Sequence, residues 1–155
     1  MKRDSRLSGV LHVLLHMAET DGPVTSEQLA KAMQTNPVVI RRIMAGLRNQ
    51  GLVRSTKGHG GGWTIAKELS TVTLRDIYEA LGSPEFFAMG NRTEAPGCLV
   101  EEAVNAAMDD TFARAEALLL ERLGEVTLAA LSADFHTRVT RRATHCEFED
   151  APHAA

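Results

Sequence analysis

The sequence predicts a mainly α fold with one small β-hairpin: a winged helix-turn-helix domain followed by a long C-terminal dimerisation helix. Three observations carry that prediction. Between Glu27 and Glu68 the chain holds seven basic residues and no acidic one. Inside that window Asn36-Pro37 opens a basic helix and Gly51 closes it. A hairpin follows at once, with a turn that reads Lys57-Gly58-His59-Gly60-Gly61-Gly62-Trp63.

The elements follow in order. Leu7, Val10, Leu11, Leu14, Leu15 and Ala18 recur at helical spacing, which predicts a first helix over residues 6–20, ended by Asp21-Gly22-Pro23. Thr25-x-x-Gln28 fits a capping box at the start of a second helix, with Leu29, Ala30 and Met33 toward the core. Gln34-Thr35 makes the turn. Asn36 then caps a third helix, and Pro37 takes its first position, where a missing N–H costs nothing. That helix runs to residue 49 or 50, with Ile40, Ile43, Met44 and Leu47 inward and Gly51 in the left-handed closing position.

Leu52-Val53-Arg54-Ser55 and Trp63-Thr64-Ile65 read as two short strands. Thr73 caps a fourth helix, Asp76 sits at its third position, and Gly82 closes it. The connector 83–89 is unusually apolar, and the expectation is that it packs on a neighbouring helix, with a ligand pocket or partner patch as the alternative. A fifth helix is expected from Cys98 to Leu123 and a short sixth over residues 127–133. The resulting division is 1–82 for the winged domain, 83–97 for the apolar loop, 98–134 for the dimerisation helices and 135–155 for a polar tail.

Charge sharpens the functional expectation. Residues 1–69 hold ten Lys and Arg against five Asp and Glu, whereas residues 70–155 hold seven against fifteen. The chain's net charge of −3 therefore hides a basic first half, and a local basic surface suits the backbone of double-stranded DNA. A recognition helix reads bases mainly with its N-terminal residues, which makes Asn36, Val38, Val39, Arg41 and Arg42 the candidate base readers. Arginine pairs with guanine, asparagine with adenine, and valine touches a thymine methyl. Arg48 is placed for a phosphate, and Arg54 is a further candidate DNA contact. Lys57 and His59 carry charge or hydrogen bonds into the adjacent groove, while Gly60 and Gly61 let backbone N–H groups approach phosphate.

At this point the residues resemble a known family. Gly51-Leu52-Val53-Arg54-Ser55 followed by Lys57-Gly58-His59-Gly60-Gly61-Gly62-Trp63 is similar to the G-L-V-x-S-x-[RK]-G-x-G-G-G-[YW] signature of the IscR/NsrR/CymR-type (BadM/Rrf) regulators. Val72-Thr73-Leu74-Arg75-Asp76-Ile77-Tyr78-Glu79-Ala80-Leu81 resembles the I-T-L-x-D-I block that follows it there. The resemblance is close over residues 5–82 and extends to the remainder in layout. It implies a homodimeric transcriptional regulator, most often a repressor, whose long helix after the winged domain makes the dimer contact. It places base and backbone contacts on Asn36, Val38, Val39, Arg41 and Lys57. The sequence departs from it in one loop. Many members ligate an iron–sulfur cluster through three closely spaced cysteines there, whereas residues 82–97 contain none and only Cys98 stands at the edge. A cluster takes four protein ligands, usually thiolates, so no iron–sulfur cofactor is expected.

The fifth helix offers Val104, Met108, Phe112, Ala115, Leu119 and Leu123 as the expected dimer interface. Three residues are candidates for sensing: Cys98 at that helix's N-terminus, and His12 with His16, spaced i, i+4 on helix 1. Two imidazoles and a thiolate suit zinc or a mixed-ligand site, although no metal site is the leading expectation. Alternatives to a plain DNA-binding regulator are therefore a thiol- or metal-responsive sensor, or a winged-helix module that binds protein and not DNA. No catalytic constellation has usable spacing, so an enzyme is not expected. No stretch nears the ~20 apolar residues of a membrane span, and the N-terminus lacks a signal's apolar segment. The expected place is the cytoplasm.

Overall fold

The computed structural model describes residues 4–93 and 97–149, with side-chain surroundings as far as Arg142. Helix α1 (Arg6–Ala18) is closed at its start by Asp4 and not by Ser5. The Asp4 carboxylate accepts from the Arg6 backbone N–H at 2.9 Å and from its guanidinium at 2.6 Å. Those bonds and the Arg6 charge hold the carboxyl at about 2. Helix α2 (Ser26–Ala32) carries the expected capping box, with Gln28 N–H donating to Thr25 Oγ1 and Thr25 N–H to Gln28 Oε1.

The turn into α3 (Pro37–Asn49) places Gln34 in the left-handed region, at φ +51°. The Thr35 N–H donates to the Ala30 carbonyl and stops α2 there. Gly46 lets α3 approach α4 (Leu74–Ala80) closely, because a Cβ at that position would lie 2.8 Å from the Ala80 carbonyl oxygen.

Strands β1 (Val53–Thr56) and β2 (Gly62–Ile65) pair antiparallel, Val53 opposite Ile65 and Thr56 opposite Gly62. A further pairing was not expected. Val24, between α1 and α2, exchanges both backbone hydrogen bonds with Trp63, at 2.8 and 3.0 Å. The wing is thereby fastened to the helix-turn-helix on its inner edge.

The core is one cluster. Val10, Val13, Leu14 and Met17 of α1 meet Leu29 and Ala30 of α2, Ile40, Met44 and Leu47 of α3, Val53 and Trp63 of the hairpin, and Ile77 of α4. Leu128, at the start of α6 (Leu128–Glu149), is also fully buried in it. The junction between α5 (Leu99–Glu125) and α6 is pinned by Leu74 N–H to the Val126 carbonyl and Leu128 N–H to the Val72 carbonyl, each 2.9 Å. The long helices are therefore anchored to the winged domain at the turn between them.

Helix α6 differs from expectation. It continues to Glu149 instead of ending near residue 133, so residues 135–149 of the expected polar tail are helical and residues 150–155 lie outside the described ones. The reason is local: residues 134–149 contain no glycine or proline to stop a helix. An Asp134–Arg138 pair at 2.7 Å supports it across one turn. Thr137 and Thr140 turn their hydroxyls back onto the carbonyls of Ala133 and His136. Among the described residues no helix is long and apolar enough to cross a membrane.

Candidate nucleic-acid interface

Helix α3 buries Ile40, Met44 and Leu47 and turns Val38, Val39, Arg41 and Arg42 outward in its first two turns. Val38 and Val39 are 56% and 43% exposed, an unusual state for valine on a helix whose other face is core. Exposed apolar side chains at a helix tip flanked by arginines suit a surface that carries thymine methyls. Asn36 has its Oδ1 committed to the cap, accepting from the Val38 N–H at 2.8 Å. Bidentate reading of adenine requires an acceptor and a donor from one amide, so a capped Asn36 has only its Nδ2 to offer.

Arg41 is not solvated alone. Its guanidinium meets Glu27 of α2 at 2.8 Å, with both side chains more than half exposed. Arg48 is exposed at the far end of α3. Arg54 reaches across the hairpin, its Nε donating to Thr64 Oγ1 at 3.3 Å.

The wing tip is built by its glycines. Gly58 and Gly60 take φ of +91° and +75°, which other residues adopt only under strain. Gly61 has no room for a side chain: a Cβ there would lie 2.3 Å from the Thr56 carbonyl oxygen. Lys57, His59 and Gly60 are exposed at the tip. Trp63 anchors its base, the indole N–H donating to the buried Ser26 hydroxyl at 2.9 Å. Trp63, Ser26 and Val24 had only the glycine-tryptophan pattern as a signal in the sequence, and the fold joins them.

The sensing candidates stay apart within one chain. The rings of His12 and His16 lie 4.7 Å apart on exposed positions of α1. They edge an apolar groove of about 610 Å³ shared with Leu11, Leu15 and Phe135. Cys98 is the exposed N-cap of α5 and its side chain makes no capping bond. Among the described residues no three His, Cys, Asp or Glu converge as a metal site would need.

Helix α5 is 27 residues long, about 40 Å, and buries no residue fully. Of the expected dimer residues, Met108, Phe112, Ala115 and Leu123 are half-buried within the chain, while Val104 and Leu119 are exposed. A second apolar row lies about 100° round the helix, one residue out of step with the first. It runs through Val100, Ala107, Thr111 and Leu118 and meets the first row at Val104, and Val100 and Leu118 are 75% and 67% exposed.

The chain matches the Rrf2 family model, described as iron-dependent transcriptional regulator, over residues 3–134. It is 27% identical over 125 residues to the HTH-type transcriptional regulator YwnA of Bacillus subtilis, covering 81% of this chain and 92% of that protein. Its fold is similar to a transcriptional-regulator structure from Lactobacillus plantarum, with a TM-score of 0.72, 25% identity and 92% and 97% of the two chains covered. It also resembles CymR of B. subtilis in fold, with a TM-score of 0.60 at 23% identity over 86% and 98% of the two chains. A cysteine-ligated iron–sulfur cluster does not fit the residues present. The loop between α4 and α5 carries no cysteine, and the chain's two cysteines, Cys98 and Cys146, cannot supply the four thiolates of a cluster. Regulation of transcription, and not catalysis, is what the family's members share, and this chain belongs to the Rrf2 family of transcriptional regulators.

Proposed function

We propose that the chain acts in the cytoplasm as a homodimeric repressor that reads a palindromic operator with α3 and the hairpin. The observation that carries this reading is the outward tip of α3, where Val38, Val39, Arg41 and Arg42 are exposed together while Ile40, Met44 and Leu47 on the opposite face are buried in the core. Val38, Val39 and Arg42 contact base edges, and Arg41 does so once Glu27 releases it. Arg48 and Arg54 take phosphates. Lys57, His59 and the backbone of Gly60 and Gly61 follow the DNA backbone on the wing side.

The homodimer is supported by α5. This helix of 27 residues leaves Val100, Val104 and Leu118 exposed along one side, an apolar strip that a second copy would cover. Two copies joined along it hold two reading heads at a fixed separation. The expected half-site spacing is about 34–36 Å, one DNA turn, or a multiple of it.

The test is fluorescence anisotropy with a duplex from the chain's own upstream promoter, over a salt series. Binding by several phosphate contacts makes log K fall steeply with log salt, by about 0.9 per phosphate neutralised. A flat response at low ionic strength would overturn the reading and leave a winged domain that serves protein contacts.

A further inference from the structure

The connector between α4 and α5 builds a ladder of aromatic rings. Phe86 stacks on Tyr78 of α4, with centroids 4.6 Å apart and planes 7° from parallel. Phe87 follows at 6.4 Å and lies 5.3 Å from Phe112 of α5. These rings and the connector's backbone enclose an open cavity of about 380 Å³. The Tyr78 hydroxyl is already spent, donating to the Pro84 carbonyl at 2.8 Å, so Tyr78 offers its ring.

Charge at this cavity has one sign. Among the described residues Glu85 and Glu116 are the only charged ones that line it. Burial first, and the Glu116 carboxylate second, raise the Tyr78 hydroxyl above its ordinary value. Aromatic faces carry the negative end of the ring quadrupole, so the rings and the carboxylates favour the same class of guest.

The geometry points to a binding site for a lipophilic organic cation of the quaternary ammonium class, held between Tyr78, Phe86, Phe87 and Phe112 with Glu116 as counter-charge. A metal ion does not suit it. Hard cations take six or more oxygen ligands, and among the described residues no three His, Cys, Asp or Glu converge. A quaternary ammonium suits it best, because its methyl groups lie against aromatic faces, which three Phe rings and one Tyr ring of the lining supply. A neutral apolar guest gains nothing from the two carboxylates.

The site sits where a guest would matter. Its rings come from α4, which packs in the winged domain, from the connector, and from α5, which projects out of that domain. A cation seated among these four rings changes how α5 leans on the DNA-reading domain. That regulatory consequence rests on the DNA-binding reading above, while the site itself does not.

The experiment is isothermal titration calorimetry of the full-length chain with benzyltrimethylammonium, and with choline beside its neutral carbon isostere, dimethylbutanol. Saturable one-to-one uptake of benzyltrimethylammonium is expected, with choline bound at least about fivefold more tightly than dimethylbutanol. Phe87→Leu and Glu116→Gln should each weaken binding by about 2- to 30-fold. Both positions are at least partly exposed, and a thermal melt close to that of the parent chain verifies their fold. Equal uptake of choline and its isostere, unchanged affinity in both variants, or no saturable heat from the folded parent chain would overturn the site. Anisotropy with the promoter duplex at saturating benzyltrimethylammonium should shift DNA affinity by at least about fivefold. Cation binding with unaltered DNA affinity removes the regulatory role. Cation binding by a chain that ignores DNA overturns the DNA reading and leaves the site standing.

Discussion

The guanidinium of Arg41 on the recognition helix lies 2.8 Å from the carboxylate of Glu27 on the helix before it. In the sequence Glu27 borders the acid-free basic window, but the fold carries it onto one of the candidate base readers. An exposed pair of this kind contributes about 0.2–1 kcal/mol, so Glu27 is a weak competitor for Arg41 and not a structural tie. If Arg41 reads a base as proposed, DNA has to displace it. Glu27→Gln is therefore expected to tighten promoter binding by up to about fivefold, measured by anisotropy. Arg41→Ala should cost about 1–3 kcal/mol and relax preference at one base pair. In the Arg41→Ala background Glu27→Gln should have no further effect on affinity. Weaker binding by Glu27→Gln alone would mean that the carboxylate steers Arg41 toward its base.

The wing makes a different demand. Lys57 is exposed at the tip, where a phosphate contact carries no sequence information. Lys57→Ala should weaken specific and random duplexes alike, and lower the slope of log K against log salt by about 1. A loss confined to the specific duplex would place Lys57 in a groove.

Two adjacent glycines separate backbone freedom from space. At Gly60 the left-handed φ of +75° leaves open room for a Cβ, so Gly60→Ala should cost about 1 kcal/mol of strain and leave DNA binding within a few fold. At Gly61 the obstacle is the Thr56 carbonyl, 2.3 Å from where a Cβ would stand. Gly61→Ala must rebuild the turn, and promoter affinity is expected to fall at least about tenfold while the chain's melting temperature barely moves. Equal effects from the two variants would show that the tip's shape is unimportant.

Trp63 reports how the wing is held. Its indole N–H is the donor to Ser26 inside the core, and its backbone pairs with Val24. Trp63→Phe keeps an aromatic ring but leaves the Ser26 hydroxyl buried without that donor, which should cost about 1–3 kcal/mol in urea unfolding. Hydrogen exchange at the Trp63 and Val24 amides should quicken with it. Unchanged stability would mean that water replaces the indole.

What the sequence disclosed follows from range. The helix-turn-helix was legible because each signal is local: the Thr25 and Thr73 capping boxes, Asn36-Pro37 and Gly51 act within a turn of themselves. The Val24–Trp63 pairing was not, since it joins residues far apart in the chain and Val24 sits in no run of strand-forming residues. The end of α6 was missed for the opposite reason. Polar composition suggested a tail, but helix formation there is decided by the absence of breakers and by short-range pairs such as Asp134–Arg138. Candidate site residues were legible as types and not as partners. Nothing in the spacing of Glu27 and Arg41 says that they are already engaged, whereas the cap read for Asn36 did commit its Oδ1.

The seam of the proposed dimer is the sharpest case of this kind, because two apolar rows run along α5 and the sequence pointed to the one with Met108, Phe112 and Leu119 without seeing which is already covered. One row includes Phe112, whose ring lies 5.3 Å from Phe87 of the same chain, so its apolar surface is partly satisfied without a partner. The other includes Val100, Val104 and Leu118, which the chain leaves more than half exposed. Burying apolar surface gives about 25 cal/mol per Å², so the larger gain on association lies with the exposed row. Leu118→Glu is therefore expected to convert the dimer to monomer in sedimentation velocity at micromolar concentration, with helix content by circular dichroism unchanged. Promoter affinity should then fall at least about a hundredfold, because each head binds its half-site alone. Phe112→Leu, by contrast, should lower the melting temperature and leave the dimer intact. If Phe112→Leu dissociates the dimer and Leu118→Glu does not, the seam runs along the inner row and the 83–93 loop must move aside to let the partner in.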